Sequence, residues 1–555
     1  MGVPKFFGYL LKKYKKDDFF IHRETTQQPI KHKLDKIEYL MCDANGLMHP
    51  VCFKVIADNP NQTNQKDLQL IMHKAIIAKL EELIDYVKPT KGVYIAVDGV
   101  APAAKMRQQR YRRFHSISEK LLFDKLKKKY NKPLSNQWNN SVITPGTKFM
   151  NVLHQKLLSW SQEYNKKNSI QILYSSCYTP GEGEHKLIQF MKSNLDKSFV
   201  IHGLDADLIF LCLTTNMTNL YLLREANEID SHDPNTYLKF VIMDKLRQVI
   251  PETMGTFIQS KNTDNIRLIY DFIFLCYLLG NDFLPHLHAI DISNNGIDII
   301  LQIYGSVYDK ENKYLLDNNN INELFLLEIF NGLAKKEENI LYEQYHNKKN
   351  WRVILSDPYE REKSHIENLK FNIDDPIKIG FDSHTSWRER YYKHYWDLEK
   401  DDIELFAKKL VYHYIMGLKW VTMYYFDECP SWDWYYPFDY PPFISDIALY
   451  LKDINIHNIK FIKSAPVHPH VQLLTVLPPQ SSFILPEPLQ RLMHDKRSSL
   501  IYLYPVEIDH DYIGKHKYYQ GIPKLPPIDI ELVKHIYKKY KSELSKKDMI
   551  EELDK

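Results

Sequence analysis

The sequence predicts an α/β fold with a largely parallel sheet flanked by helices, and three observations lead there. Short β-type apolar runs near 37–43, 93–98, 171–175 and 199–204 alternate with longer helical patterns, as strands joined by helical crossovers do. Three of these runs close on an acid: Asp43 after 37–42, Asp98 after 93–97, and Asp205 after 199–204. In open α/β sheets ligands bind just beyond the carboxyl ends of the strands, so separate strands would deliver these acids to one edge.

The elements follow in chain order. Tyr9-Leu10-Leu11 runs straight into Lys12-Lys13-Tyr14-Lys15-Lys16, which leaves no signal-peptide core. Met1-Gly2 lacks the Ser or Thr that N-myristoylation expects, because Phe6 stands there. After Asp98 the chain reads as strand end, turn and helix start, with Pro102 suited to a first turn. The helical pattern over 103–130 holds no Gly or Pro. On it Lys105, Gln109, Arg112 and Arg113 fall at i, i+4, i+7 and i+8 and share one face. From 101 to 130 ten Lys or Arg stand against Glu119 and Asp124, whereas the whole chain is only +3. A charge run is usually a solvated face. This one begins a turn from an acid, where Arg forks and a Lys point charge would grip a phosphate.

Further on, Glu182 and Glu184 alternate with glycines in Pro180-Gly181-Glu182-Gly183-Glu184-His185-Lys186. Asp205 and Asp207 repeat that spacing, and Asp282 lies in Gly280-Asn281-Asp282-Phe283-Leu284-Pro285. A single Asp after a strand is ordinarily a turn former or helix cap. Seven converging acids are another matter, because their mutual repulsion is costly unless cations neutralise it. Two divalent ions about 3.5–4 Å apart would need such a set of oxygens.

Coarse organisation gives an acidic-site domain over 1–348, a polar connector over 349–384, a loop-rich Trp- and Tyr-rich region over 385–530 that walls the first, and a charged helical tail over 531–555. The hydrophobic content of 44% is ordinary for a globular chain. Six cysteines without C-x-x-C spacing argue against structural zinc and fit a reducing compartment. The best apolar run, 268–279, is too short for a membrane helix and contains Asp271.

These residues resemble the 5′→3′ exoribonuclease family, the Pacman-type enzymes of cytoplasmic RNA decay and their nuclear paralogues. The resemblance runs through Met1-Gly2-Val3-Pro4-Lys5-Phe6-Phe7, Asp43-Ala44-Asn45-Gly46, Val97-Asp98-Gly99-Val100-Ala101-Pro102 and Thr144-Pro145-Gly146-Thr147, then the Glu182 block, Gly203-Leu204-Asp205-Ala206-Asp207 and Gly280–His286. It continues through Trp387-Arg388-Glu389-Arg390-Tyr391-Tyr392, Ser431-Trp432-Asp433-Trp434-Tyr435-Tyr436-Pro437 and Leu477-Pro478-Pro479 to Tyr504-Pro505.

The resemblance implies a PIN/flap-nuclease-like core. One ion would be held by Asp43, Asp98, Glu182 and Glu184, and the other by Asp205, Asp207 and Asp282. The ions would be Mg2+, with Mn2+ able to substitute. Lys105, Gln109, Arg112 and Arg113 would form a 5′-phosphate pocket. His49 would stack on the terminal base against a tryptophan, Trp434 being favoured and Trp432 the alternative. The implied activity is processive degradation of single-stranded, 5′-monophosphorylated RNA to mononucleotides by a cytoplasmic monomer without membrane contact, a nuclear site being also compatible. Two departures stand out: the long C-terminal extension of the large cytoplasmic members and the Cys/His knuckle of many nuclear ones are both missing. A flap-endonuclease-like DNA nuclease is disfavoured by the Trp-rich region and the pocket. A catalytically dead RNA-binding scaffold is disfavoured because none of the seven acids is lost.

Overall fold

In the computed structural model, which describes residues 5–14, 20–22, 37–134, 138–225, 238–260, 262–347, 355–369 and 374–545, seven strands build the main sheet. They are β1 (Phe20–His22), β2 (Tyr39–Asp43), β3 (Gly92–Ala96), β4 (Gln171–Ser175), β5 (Phe199–His202), β6 (Leu220–Glu225) and β7 (Leu238–Ile242). Their order is β1-β7-β6-β5-β2-β3-β4. The stretch from β6 to β4 is parallel, with Asp43 opposite Ala96 and Cys42 opposite His202. β7 runs antiparallel to both β6 and β1.

All four predicted strands are present, and they are the parallel neighbours β5, β2, β3 and β4. β5 is buried along its whole length and β2 nearly so, as continuous apolar runs under two layers of helix should be. At the edge, β4 exposes Gln171 and Leu173. β1, β6 and β7 are the three strands of the sheet that the sequence does not predict.

Ten helices carry the rest of the description: α1 (Ala44–Asp58), α2 (Ala103–Lys129), α3 (Gly183–Lys192), α4 (Asp207–Thr214), α5 (Asn265–Tyr277), α6 (Glu323–His346), α7 (His384–Trp396), α8 (Lys400–Phe426), α9 (Ile444–Tyr450) and α10 (Pro469–Val476). The long basic pattern is α2, and the apolar run near 268–279 is the buried α5. Asp271 within α5 accepts hydrogen bonds from Tyr304 Oη and from the amides of Leu315 and Leu316. Among the described residues no helix is long and apolar enough to cross a membrane.

The region read as loop-rich contains α8, a 27-residue helix. Near its end Trp420, Val421, Thr422, Tyr424, Tyr425 and Phe426 are all buried, so apolar residues surround the helix and no single stripe marks it. Within the connector, Pro358–Glu367 is helical and capped by Asp357. The tail begins as the helix Ile530–Tyr540, which buries Val533, Ile536 and Tyr537. Residues 546–555 of that tail and the opening Met1-Gly2-Val3-Pro4 lie outside the described residues.

The second region shares the core of the first. One continuous cluster of buried side chains joins Phe6, Phe199 and Phe272 to Trp387, Trp420 and Ile447. Polar contacts fix the docking. Glu337 of α6, buried, accepts from the amides of Ile444 and Ser445 at the start of α9 at 2.8 and 2.9 Å. Asp446 accepts from Arg388 Nε at 2.8 Å and from Tyr392 Oη at 2.6 Å.

Candidate active site

Four adjacent strands deliver six acids to one edge of the sheet. Asp43 ends β2 and caps α1, and Asp98 lies two residues beyond β3. Glu182 stands at the N-cap position of α3 and Glu184 in its first turn, after the loop from β4. Asp205 follows β5, and Asp207 opens α4. The seventh, Asp282, comes from the loop after α5. There Asn281 Oδ1 accepts from the amides of Phe283 and Leu284 at 2.8 and 2.9 Å, which sets the turn that presents the acid.

Two glycines are required by close approach. A Cβ on Gly99 would stand 1.9 Å from Thr179 O, where Gly99 N donates to Gly181 O at 2.9 Å and ties the β3 loop to the Glu182 loop. A Cβ on Gly183 would stand 3.2 Å from both Asp43 Oδ1 and Asp98 Oδ1, so these two carboxylates face each other across the start of α3. Gly183 N donates to Asp98 Oδ1 at 2.6 Å, placing that carboxylate on a helix N-terminus. Asp98 N donates to Asn45 Oδ1 at 3.1 Å.

The electrostatics register the crowding. Burial, then Asp98 and Asp205, push Asp43 well above the usual carboxylate range. Burial and Glu182 raise Asp98. Burial, Asp207 and Glu182 raise Glu184 far more. Asp207 is pushed up to about 7 by burial and Asp282. Burial works against charge on Asp282 too, yet Lys105 draws it down to about 2. The Lys105 ammonium bridges Glu182 Oε2 at 2.5 Å and Asp282 Oδ2 at 2.8 Å. Glu184 Oε2 and Asp207 Oδ1 are buried with no hydrogen-bond partner. Like charges gathered in this way, with two buried oxygens lacking protein partners, suit divalent cations, and the all-oxygen donors suit hard ones.

The face predicted on α2 reaches the same edge. Lys105 sits on the acids themselves. Arg113 Nη2 donates to Thr144 Oγ1 at 2.7 Å while its Nη1 is buried without a partner. Thr144 Oγ1 in turn donates to Ser141 O. Gln109 Oε1 accepts from Gln472 Nε2 at 3.4 Å, and Gln472 Oε1 also takes the Ala101 amide. Arg112 is exposed. His49, on α1, is pushed down to about 4 by burial first and then by Arg112 and Arg113, against an opposing pull from Asp205, and is therefore neutral at pH 7. The opposite face of α2 is structural: Arg110 is fully buried and donates to Thr475 O and Leu503 O.

The two tryptophans differ. Trp434 stacks on Trp420 with ring centroids 5.2 Å apart, meets Phe461 edge-on, and donates Nε1 to Met416 Sδ at 3.2 Å. Trp432 is anchored by its backbone: its carbonyl accepts from Ala103 N at 2.7 Å and its amide donates to Ser464 Oγ. It therefore sits beside the start of α2, two residues from Lys105.

Four neighbours of the acids escaped the sequence reading. Lys186 Nζ is buried and donates to Val97 O and Ser176 O, holding the ends of the β3 and β4 segments together. His185 brings a ring nitrogen within 4.8 Å of carboxylate oxygens of Glu182 and Glu184. Both lie inside the glutamate block, which was the available signal. Asn45 lies in the Asp43 motif. Tyr424, whose hydroxyl donates to Glu182 Oε1 at 2.7 Å, had no signal, because it is separated from that acid by more than two hundred residues.

Comparison with known proteins gives the family. The family model for the XRN 5′-3′ exonuclease N-terminus matches residues 1–226, and that for the Xrn1 helical domain matches 262–374 and 356–551. The 5′-3′ exoribonuclease 2 of Debaryomyces hansenii is 27% identical, with 95% of this chain and 69% of that protein aligned. The 5′-3′ exoribonuclease 2 homolog of Drosophila melanogaster is 28% identical over 95% and 70% of the two chains. The 5′-3′ exoribonuclease 1 of Homo sapiens is 28% identical over 95% of this chain and 33% of its own length. The catalytic core of Rad2 in complex with DNA substrate aligns at 13% identity over 73% of this chain and 98% of that chain, with a TM-score of 0.31, below the level at which a shared fold is inferred. Because the two family models follow one another from the first strand to the tail helix, the chain belongs to the XRN 5′-3′ exonuclease family.

Proposed function

We propose that the protein removes nucleotides one at a time from the 5′ end of single-stranded RNA bearing a 5′-monophosphate. The observation that carries this reading is the meeting of two unlike sites at one sheet edge. Seven acids crowd together there, and Arg113, with an unpartnered Nη1, stands beside His49 near Asp205.

Asp43, Asp98, Glu182 and Glu184 would hold one Mg2+, and Asp205, Asp207 and Asp282 the other. Such a pair of ions supplies activation of water and stabilisation of charge on the leaving 3′ oxygen. The protein's own side chains select and orient the substrate. Arg113, Arg112, Gln109 and Lys105 bind the terminal phosphate, and Thr144 keeps Arg113 in place. Lys105 also contacts Glu182 and Asp282, so it ties the position of the phosphate to that of the acids. His49, uncharged at neutral pH, offers a flat face to the terminal base.

We assign the opposing face to Trp432 rather than Trp434. One face of Trp434 is already covered by Trp420, whereas Trp432 is tethered at the start of the pocket helix. Stacking of about 1–3 kcal/mol per base needs no sequence readout. Restacking after each cleavage would draw the next nucleotide inward, which favours long runs.

The test is purified protein with Mg2+ on 5′-monophosphate, 5′-triphosphate and capped RNA, together with a DNA flap. Strong preference for the monophosphate RNA is expected. Equal cleavage of capped and monophosphate RNA would remove the pocket, and preference for the flap would move the protein to DNA processing.

A further inference from the structure

From the second region, Tyr424 of α8 reaches the acids. Its hydroxyl donates to Glu182 Oε1 at 2.7 Å in a buried contact, while the other oxygen of Glu182 faces Lys105. The carboxylate is thus held at both oxygens, which fixes its plane as well as its position.

The phenol is itself held. Its ring stacks on Trp420 at 4.8 Å with 20° between planes, and Trp420 stacks on Trp434 at 5.2 Å and 23°. Trp420 cannot slide, because its Nε1 donates to Ser431 O at 3.1 Å. On its other sides the Tyr424 ring meets His185 at 4.0 Å and the edge of Phe283 at 5.4 Å. His185 follows Glu184, and Phe283 follows Asp282. One ring is therefore wedged between the chain neighbours of acids from both proposed ion sites, with a ladder of indoles behind it.

We infer that Tyr424 is a positioning residue: its hydroxyl orients Glu182 for cation binding, and the Trp420–Trp434 ladder holds that hydroxyl in place. This rests on the reading of Glu182 as a metal ligand. Groups that hydrogen-bond a ligand from behind commonly change metal affinity tenfold to a hundredfold when removed. The inference also gives Trp434 a role, as the outer rung of the support. The alternative is that Tyr424 only fills space on α8, and Tyr424→Phe separates the two because it keeps the ring and deletes the hydroxyl.

Mn2+ binding is measured by electron paramagnetic resonance for the full chain, Tyr424→Phe and Glu182→Gln, with thermal unfolding and steady-state kinetics on a 5′-monophosphorylated oligonucleotide. Tyr424→Phe is expected to weaken Mn2+ binding by about tenfold or more. Its kcat should fall at low Mg2+ and partly recover at high Mg2+, with KM for RNA and the unfolding midpoint close to wild type. Wild-type Mn2+ affinity in Tyr424→Phe, when Glu182→Gln has lost it, would overturn the inference alone, and a lowered unfolding midpoint in that case would identify a packing residue. Wild-type affinity in Glu182→Gln would instead overturn the ligand assignment.

Discussion

The sheet edge and the aromatic region hold their key residues by different means. At the edge, backbone regularity does the placing: strands in parallel register end together, and whatever follows each strand is carried to the same spot. In the aromatic region side chains do it. Trp432 and Trp434 are two residues apart, yet one is pinned by its peptide group to α2 and the other is stacked on Trp420, whose far face carries Tyr424. The edge is therefore rigid but electrostatically strained, and the aromatic wall is relaxed but dependent on packing. Substitutions should separate them: an acid removed from the edge should abolish chemistry and relieve repulsion, whereas a ring removed from the wall should loosen structure or shorten runs.

The largest effect is expected at the edge. Glu184→Ala or Asp205→Ala should lower turnover by about two orders of magnitude or more, since stabilisation of transition-state charge is usually the largest catalytic term. RNA binding in Ca2+ should survive. Glu184→Gln should also raise the unfolding midpoint in chelator, because a buried carboxylate pressed by Asp207 and Glu182 has been replaced by a neutral group. Midpoints that do not move, or turnover retained above a few per cent in both alanine variants, would mean that the acids do not work as one cluster.

An intermediate effect is expected at the proposed phosphate pocket. Arg113→Ala removes a charged donor that Thr144 holds in place. Loss of one charge-assisted phosphate contact should erode the preference for monophosphate over hydroxyl ends by about tenfold to a hundredfold, or about 1.5–3 kcal/mol. Competition between the two RNAs in one reaction measures the ratio directly, and an unchanged ratio would place phosphate recognition elsewhere.

The smallest effects sharpen the contrast between the tryptophans. Trp432→Ala should shorten runs and cause stalling at hairpins while the fold stays intact. Trp434→Ala should lower stability by about 2–3 kcal/mol, as loss of a half-buried ring does, and stall less. Run lengths on structured RNA and unfolding curves decide the matter. If Trp434→Ala stalls and Trp432→Ala does not, the stacking role returns to Trp434.

How much could be read from the sequence follows the same division. Asp43, Asp98, Glu182, Glu184, Asp205 and Asp207 were legible because each sits in or just after a strand or glycine turn, and four of the seven strands announce themselves as short apolar runs. The basic face of α2 was legible because helical spacing alone puts Lys105, Gln109, Arg112 and Arg113 on one side. Local rules were enough in these cases: strand ends, helix periodicity and glycine turns are set by residues near one another in the chain. Only the tertiary structure could show that the Lys105 ammonium bridges Glu182 and Asp282, that Arg110 faces inward to the carbonyls of Thr475 on α10 and of Leu503, and that Tyr424 reaches Glu182. Nor could spacing tell Trp432 from Trp434, or reveal α8 when its buried end is apolar on every side. Those outcomes depend on which distant surfaces meet once the core closes, and no window of sequence contains both partners.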